Sequence, residues 1–290
     1  DLDEERRQGP QTQEGNGTGF SRLTNTQVSN YIINGYADYR MALSGNRDLS
    51  VLLGTSYQTT TTETAFRSAR INSINELESL TETDPSLLSV PIPDSKFAFL
   101  SFYTRVNYNM EDKYIFQLSG RADGSSRFSE NNRFGFFPAA SAGWNIHNEP
   151  FFNSSLFNRL KFTASFGLVG NTPEEDFLYR RNYINVLYGE DEGVRLSNLA
   201  NEELKWETTE QTDIGIDMGL FNDRVTLAAN YYIKTASDLL FPVPVTQTSG
   251  FQFILQNIGS LRNRGFEFTL NTVNIENSDF SWSTSFNIST

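Results

Sequence analysis

The chain of 290 residues contains no cysteine and a single histidine. The lack of cysteine excludes a disulfide scaffold, a thiolate zinc site and a cysteine nucleophile, and it fits a protein exposed to the oxidising periplasm. A Ser-His-Asp triad or a histidine metal site would have to use His147, and no G-x-S-x-G or H-E-x-x-H motif accompanies it. We therefore expect no enzyme activity, no metal and no cofactor, with His147 at the rim of a strand.

Long apolar runs and basic clusters are missing as well. The mean hydropathy is −0.44 and no run approaches the roughly 18 apolar residues of a membrane helix, whereas a tilted membrane strand needs only about 9–11 residues. The 23 basic residues against 35 acidic ones give a net charge of −12, which argues against a nucleic-acid partner. The first ten residues show no basic and apolar leader, so no secretion signal is visible.

The chain is rich in aromatic residues, and apolar and polar residues alternate along many of its segments. It has 24 Phe and 12 Tyr, the rings that membrane barrels place on the lipid face and in the girdles at both interfaces. At residues 211–220 the sequence reads QTDIGIDMGL, with apolar side chains at every second position. One such strand could also belong to a soluble β-sandwich. Recurrence in about ten segments, without helices of matching apolar faces, favours a transmembrane β-barrel with a polar lumen.

The pattern predicts ten antiparallel strands. They are placed at about residues 30–44, 49–61, 97–109, 114–123, 134–147, 160–170, 204–220, 225–235, 259–272 and 280–289. Tight polar links at 45–48, 110–113, 221–224 and 274–279 contrast with long links at 62–96, 171–203 and 236–258. Short turns on one rim and long loops on the other are typical of outer-membrane barrels, with the short turns in the periplasm and the long loops outside the cell.

Six motifs occur in order along the chain. They are R-x-D-G-S-S-R-F at 121–128, F-P-A-x-S-A-G-W at 137–144, E-P-F at 149–151, G-L-V-G-N at 167–171, L-x-W-E-x-x-x-Q-x-D-x-G-x-D at 204–217 and N-x-G-x-E at 263–267. From about Tyr31 to the C-terminus the sequence resembles the barrel of SusC/RagA-type TonB-dependent outer-membrane transporters. Each motif alone is a weak signal, and their common order makes the resemblance specific.

The resemblance implies a barrel of about 22 strands that is filled by an N-terminal plug domain. It also implies a TonB-contacting segment and a SusD-like surface lipoprotein that closes over the barrel. The fold class that we expect is all-β: an antiparallel transmembrane β-barrel, of which this chain is a fragment of about ten strands. We divide it into residues 1–28, a polar loop or barrel lead-in, and residues 29–290, a partial TonB-dependent receptor barrel, with the plug domain absent.

The function that the resemblance implies is active import of oligosaccharides or peptides across the outer membrane of a Gram-negative cell. The expected partners are the SusD-like lipoprotein, TonB-ExbB-ExbD through the plug region, outer-membrane lipid and the cargo, and no nucleic acid. Two alternatives stay open: a passive porin-like barrel, and a secreted β-rich adhesin, carbohydrate-binding protein or carbohydrate-active enzyme.

Candidate substrate contacts lie in the long link at 171–203. Tyr179, Arg180, Tyr183 and Tyr188 combine aromatic faces with a guanidinium donor and could hold sugars or peptides, although such a loop could equally pack on its own barrel or a partner. The carboxylates at 174–176 and 190–192 could bind calcium or act in glycoside hydrolysis, but adjacent loop acids are more often solvated. Residues 123–128 are expected to stabilise a tight turn, and the polar residues from Trp206 to Asp217 to face or overlie the lumen.

Overall fold

The computed structural model describes residues 2–8, 19–71, 88–91, 95–188 and 191–290, and these are strands, turns and short 3-10 helices. The strands are β1 Leu2–Gln8, β2 Gly19–Leu43, β3 Arg47–Ile71, β4 Leu88–Pro91, β5 Ser95–Met110, β6 Tyr114–Ser125, β7 Phe134–Asn145, β8 Phe157–Asn171, β9 Tyr183–Tyr188, β10 Asp191–Leu196, β11 Glu207–Leu220, β12 Val225–Ser237, β13 Leu240–Pro244, β14 Phe253–Asn257, β15 Ser260–Glu276 and β16 Ser281–Ser289. Three 3-10 helices span Glu130–Asn132, Ile146–Asn148 and Gln247–Ser249. Among the described residues, no helix has the length and apolarity to cross a membrane.

Twelve strands form one sheet in the order β1-β2-β3-β5-β6-β7-β8-β11-β12-β15-β16, with β4 paired to β3. Every register that the structure describes is antiparallel, and strands that neighbour each other in the chain mostly neighbour each other in the sheet. The ten predicted strands correspond to β2, β3, β5, β6, β7, β8, β11, β12, β15 and β16. The predicted all-β antiparallel architecture is therefore confirmed.

Two compact units divide the chain. The first comprises residues 1–33 and 57–98, where β1 pairs with the first part of β2 and β4 pairs with β3 from Ala65 to Ser68. Here the Thr60 hydroxyl donates to Asn30 Oδ1 at 3.2 Å. The second comprises residues 34–56 and 99–290, and it contains all of the sites discussed below.

Some strand limits differ from the predicted ones. β2 begins at Gly19 and β3 continues to Ile71, so both strands are longer than their alternating cores at 30–44 and 49–61. The described part of residues 1–28 is strand, in β1 and the beginning of β2, while the division of the chain at residue 28 stays a prediction. The long links contain two hairpins of their own, β9-β10 and β13-β14, which the alternation did not indicate.

One face of the second unit is apolar from strand to strand. Across the sheet, Phe116 lies opposite Ala142, Phe162 opposite Ile216, and Tyr231 opposite Phe266. The face continues on β16, where Phe286 lies opposite Leu270 and Ile288 opposite Phe268. We call this surface the apolar face. Its large side chains are exposed, at 47% for Phe116, 64% for Phe266 and 53% for Ile288, and no second layer covers it in the described part of the chain.

The opposite surface of the same strands is polar. Asp213 lies opposite Ser165, Asp217 opposite Lys161, and Asn230 opposite Glu267. Side-chain hydrogen bonds occur on this polar face, including one from the Ser165 hydroxyl to the Asp213 carboxylate at 3.3 Å. The pairing of the strands confirms the predicted separation of an apolar and a polar face. Strands that span a membrane between lipid and an aqueous lumen have this arrangement.

The predicted tight turns all lie on one rim of the sheet. Gly45 (φ 78°) and Asn46 (φ 52°) form the turn between β2 and β3, and Glu111 (φ 57°) and Asp112 (φ 54°) form the turn between β5 and β6. Each of these connections has three residues, and positive φ at two successive residues gives a turn whose twist suits the paired strands. The connections at residues 126–133, 172–206 and 238–259 lie at the other ends of the strands, whereas the connection at 146–156 lies on the same rim as the tight turns.

Candidate functional site

A small aromatic core holds the long-loop rim together. Phe128 and Leu204 are fully buried, and Phe137 and Trp206 are each 8% exposed. The Trp206 ring centroid lies 5.2 Å from that of Phe128 and 5.4 Å from that of Phe137. Around these four residues pack Phe99, Leu168, Leu178, Leu240 and Leu255, which come from four strands and one loop. We call this cluster the loop core.

Trp206 therefore occupies a different place from the predicted one. The strand was expected to begin at Leu204, with Trp206 and Glu207 facing or overlying the lumen, but β11 begins at Glu207. Trp206 precedes the strand, turns into the loop core and donates its Nε1–H to the Arg133 carbonyl at 3.2 Å. Burial of a large ring with its polar atom satisfied outweighs continuation of the strand by one residue.

Two glycines allow the loop core to form. The ring of Phe137 packs directly over Gly135 and Gly170, and a Cβ atom at either glycine would overlap that ring. Gly135 and Phe137 both belong to β7, and Gly170 closes the G-L-V-G-N motif of β8. This motif is therefore explained by close packing of an aromatic ring on bare backbone.

Arg127 joins two of the loops. Its guanidinium Nε donates to Asp176 at 2.7 Å, and its Nη1 donates to the Pro173 carbonyl at 2.9 Å. Both side chains are largely buried, at 14% exposed for Arg127 and 7% for Asp176. Behind Arg127, the Ser125 hydroxyl accepts from the Arg127 backbone N–H at 3.3 Å. The expectation that residues 123–128 stabilise a tight turn agrees with these contacts, which also fix the start of the 172–206 loop.

Amide side chains hold the 238–259 connection to the 172–206 loop. The Asn257 Nδ2 donates to the Lys205 carbonyl at 2.8 Å and to the Asp238 carbonyl at 2.9 Å, and the Asn257 Oδ1 accepts from the Lys205 N–H. Asn201 Nδ2 donates to the Leu255 carbonyl at 2.8 Å. The Lys205 ammonium lies 3.0 Å from the Asp238 carboxylate. The connections at 126–133, 172–206 and 238–259 thus form one hydrogen-bonded cap.

Within this cap lies a cleft of about 600 Å³ between the 172–199 loop and the β13-β14 hairpin. This volume is typical of a small-ligand site. One wall contains Glu174, Glu175 and Leu178, the other contains residues 250–255, and Glu207 lies in the lining between them. Glu207 is held by the Leu240 N–H at 2.6 Å and the Asn171 Nδ2 at 2.8 Å. We call this feature the cap cleft and consider it the candidate functional site.

Three of the predicted contact residues, Tyr179, Arg180 and Tyr183, are not among the residues that line the cap cleft. Arg180 is exposed and its guanidinium carbon lies 4.1 Å from the centroid of the Phe177 ring, which Tyr179 meets edge-on at 6.5 Å. Tyr183 is exposed at the start of β9. Tyr188 pairs with Asp191 in the β9-β10 hairpin, and its side chain lies outside the described residues. Substrate contact by these four residues therefore stays a prediction.

Sequence reasoning missed most of the cap cleft. Glu174 and Glu175 were noted as solvated acids, and they are exposed, but their position opposite Phe251 and Phe253 depends on a hairpin about 75 residues further along the chain. No local pattern reveals such a pairing. The motif residue Glu207 was the one available signal, since it was expected to face or overlie the lumen.

His147 has the rim position that was expected. It lies in the 3-10 helix after β7, and its Nδ1 is 3.0 Å from the Leu160 carbonyl oxygen. Of the acids noted at 190–192, residue 190 lies outside the described residues. Among the described residues, no group of three or more His, Cys, Asp or Glu side chains could hold a metal ion.

The short-turn rim carries its own cluster around the E-P-F motif. Glu149 Oε1 accepts from the Tyr114 hydroxyl at 2.6 Å and from the Trp144 Nε1–H at 2.9 Å. The two rings stack with centroids 6.3 Å apart, and Phe151 meets Trp144 edge-on. The hydrogen bonds from Tyr114 and then Trp144 lower the pKa of Glu149 from its ordinary value, because they stabilise the ionised carboxylate. An aromatic group with polar atoms at the end of an apolar face is what a membrane interface favours.

The geometry is that of known outer-membrane receptors. Residues 3–290 match the family described as TonB dependent receptor-like, β-barrel. The chain belongs to this family. TonB-dependent receptor barrels of this kind lie in the outer membrane, and the predicted fold class and location are confirmed.

Named relatives of this TonB-dependent receptor barrel come from two bacteria. The chain is 39% identical over 277 residues to TonB-dependent receptor P3 of Formosa agariphila, covering 93% of this chain and 27% of that protein. It is 35% identical over 199 residues to TonB-dependent receptor SusC of Bacteroides thetaiotaomicron, covering 65% of this chain and 20% of SusC. The resemblance to SusC/RagA-type transporters is therefore confirmed.

Solved structures of RagAB have a similar fold. The structure of the RagAB peptide transporter superposes with a TM-score of 0.84 at 28% identity, over 94% of this chain and 31% of that one. The same importer in its 'closed-closed' state gives a TM-score of 0.85 over 99% of this chain. The chain thus spans about a quarter of the curated relatives and about a third of the solved RagAB chain that it matches.

Proposed function

We propose that this chain is part of a receptor that actively imports oligosaccharides or peptides across the outer membrane. The receptor works with a SusD-like surface lipoprotein and takes its energy from TonB-ExbB-ExbD. Family membership supports energised import over a passive porin, and the outer-membrane location argues against a secreted adhesin or enzyme. RagAB is described as a peptide importer, which supports peptides as cargo, and oligosaccharides remain the second cargo class of the proposal.

The observation that carries the proposal is the pairing of an exposed apolar face with a polar face across the same strands. In a soluble protein, an exposed apolar surface of this extent would need a covering layer. In a membrane it meets lipid, while the polar face lines a wetted lumen through which a hydrophilic cargo can move. The capped long-loop rim then forms the mouth at which cargo and lipoprotein arrive.

Uptake measurements on the whole receptor test this proposal. Cells with the receptor as their sole route for the native cargo are compared with and without TonB. We expect uptake to fall to background when TonB is absent, since an energised step opens the path. The lipoprotein is expected to co-purify with the receptor from detergent extracts. Uptake that continues unchanged without TonB would contradict energised import and would favour passive diffusion.

A further inference from the structure

The cap cleft has a charge and a shape that nothing in the barrel architecture requires. We propose that it binds a peptide cargo through a positively charged side chain, with an adjacent bulky apolar side chain packed on its walls. This inference rests on the proposed import function and specifies its substrate class: short peptides that contain Lys or Arg next to an apolar residue.

Among the described residues, all ionisable side chains that line the cap cleft are acidic. They are Glu174, Glu175 and Glu207, and none of the described Lys, Arg or His residues contributes to the lining. Glu207 is fixed by two neutral donors, the Leu240 N–H and the Asn171 amide, so its position is set while its charge is left uncompensated. Within the described part of the chain, Glu174 and Glu175 form no ion pair. A concave site with charges of one sign concentrates ligands of the opposite sign.

Three cations of the same cap are engaged with other groups. Arg127 donates to Asp176, Lys205 pairs with Asp238 at 3.0 Å, and Arg180 stacks on Phe177. The Arg127 contacts also hold Thr172 and Pro173, which precede the two free glutamates. The largely buried ion pair thus positions the loop, and the carboxylates of Glu174 and Glu175 line the cleft.

The uncharged part of the lining is mixed: Asn171, Thr172, Ser197, Asn198 and Gln252 are polar, and a larger group is apolar. Leucine, isoleucine and phenylalanine side chains from both walls contribute, namely Leu178, Leu199, Leu240, Phe251, Phe253, Ile254 and Leu255. Phe253 is 54% exposed at the edge, where a ligand would cover it. Apolar walls with a few fixed polar groups are typical of ligand sites, and burial of one leucine-sized side chain contributes roughly 1.5–3 kcal/mol in transfer terms.

Other ligand classes fit the cap cleft less well. Neither Tyr nor Trp is among the described residues that line it, so the described lining offers no flat ring with its own polar edge, which would suit a sugar. Calcium needs six to eight converging oxygens, and no group of three or more candidate ligands occurs among the described residues. An acidic ligand would face three carboxylates. A cationic and partly apolar peptide is the class that satisfies both the charge and the walls.

Binding of defined peptides to the purified whole receptor tests the inference. The probe is a capped pentapeptide with two lysines between leucine and phenylalanine residues, labelled with a fluorophore. Its control is the same peptide with both lysines acetylated, which keeps the length and removes the charge. The variant Glu174→Gln/Glu175→Gln keeps the shape of the cleft and removes two charges. The matched variant Glu130→Gln/Glu203→Gln removes two charges from exposed residues of the same cap outside the cleft.

We expect the lysine peptide to bind at least several-fold more tightly than its acetylated form. The cleft variant should weaken that binding by about three- to tenfold, the range for loss of two partly exposed ion pairs, while the matched variant should not. Added salt at about 1 M should largely remove the difference. Equal binding of the two peptides, or equal effects of the two variants, would overturn the inference.

Two further readouts separate this inference from the proposed function and from a partner occupant. If TonB-dependent uptake of a neutral cargo proceeds while the receptor ignores the lysine peptide, the cleft inference fails and the import proposal stands. If the peptide binds through the glutamates but uptake is independent of TonB, the import proposal fails and the cleft inference stands. If the cleft variant loses the surface lipoprotein and keeps full peptide binding, the cleft holds a partner segment and the cargo inference is wrong.

Discussion

Single side chains decide how the long-loop rim is built. Trp206 touches Phe128 from one loop and Phe137 from a strand, and its indole N–H bonds the end of the 126–133 connection. Arg127 and Asp176 join the same connection to the next loop through a largely buried pair. Because a buried ion costs desolvation unless it is paired, each of these two residues depends on the other.

Substitution of Asp176 by alanine should loosen the 172–182 segment. The change leaves the Arg127 guanidinium without its carboxylate, and loss of one partner of a buried pair typically costs roughly 3–5 kcal/mol. Arg180 and Arg181 in this segment are exposed trypsin sites. We expect trypsin to cut there at least about tenfold faster in the variant, since cleavage follows local opening.

Glu175→Ala is the matched control for that change. Glu175 is the preceding residue, it is exposed, and it takes no part in the Arg127 contacts. Its substitution should leave the tryptic pattern as in the native receptor. Identical cleavage in the two variants would show that the ion pair does not hold the loop.

Glu149 should give the short-turn rim a pH dependence. Its pKa is lowered from an ordinary 4.5 by hydrogen bonds from Tyr114 and Trp144, so the ionised form is the one that the fold stabilises. The contribution is therefore complete above about pH 4.5 and is lost as the pH falls below that value through the lowered folded pKa. The reason is that the unfolded state binds the proton more readily than the native state in this window.

Thermal unfolding of the whole receptor between pH 7 and about pH 3 measures this effect. The native protein should lose more stability on acidification than Glu149→Gln, whose amide can still accept a hydrogen bond but does not titrate. Above about pH 5 the difference between the two proteins should be constant. A parallel loss of stability in both proteins below pH 4.5 would rule out Glu149 as a titrating contributor.

At the scale of the strand, face assignment has an energetic consequence. Ile216 lies on the apolar face opposite Phe162, and its neighbour Asp217 lies on the polar face opposite Lys161. An arginine at mid-membrane on the lipid side costs roughly 2–4 kcal/mol, whereas the wetted side tolerates charge or amide. Ile216→Arg should therefore reduce assembly of the barrel, and Asp217→Asn should leave it nearly unchanged.

The yield of heat-modifiable receptor in outer membranes measures that assembly. The two changes are adjacent in the chain and differ in the face that they alter, so each serves as the control for the other. Equal losses of assembled barrel would contradict the assignment of faces that the register gives.

Strand periodicity explains why the ten main strands could be predicted and the smaller ones could not. The strands β8 and β11 are 15 and 14 residues long, and apolar residues occupy every second position at 160–168 and 214–220, which makes the pattern recognisable. The strands β13 and β14 have five residues each, and β13 contains Pro242 and Pro244, which argue against a strand in sequence-based reasoning. Their pairing became possible because the hairpin is bound to Asn201 and Lys205 of another loop.

The candidate site was also predictable only in part. Arg127 and Glu207 could be selected from the sequence because they belong to motifs of the SusC/RagA type. Their contacts could not be predicted, because they are made to loops that are distant in the chain. The tyrosines at 179, 183 and 188 attracted attention because of their chemistry alone. The cap cleft instead joins Glu174 to Phe253, and no periodic pattern spans such a separation.

For the molecule as a whole, the two rims should lie on opposite sides of the membrane. The tip of the β13-β14 hairpin contains Gln247, on the long-loop rim, and the turn between β15 and β16 contains Ser278, on the short-turn rim. Both residues are exposed. Since β15 connects these two ends and the chain has no cysteine, single cysteines at these positions report on the two sides without background from this chain.

Labelling of intact cells with a membrane-impermeant maleimide tests the orientation. Gln247→Cys in the whole receptor should react, because the long loops face the medium, and Ser278→Cys should react only after the outer membrane is permeabilised. The serine change alters one atom of an exposed side chain, so folding is expected to be retained, and heat modifiability verifies this for both variants. Reaction of Ser278→Cys in intact cells with Gln247→Cys protected would reverse the orientation. The cap cleft would then face the periplasm, where it could not be the first site to meet an incoming peptide.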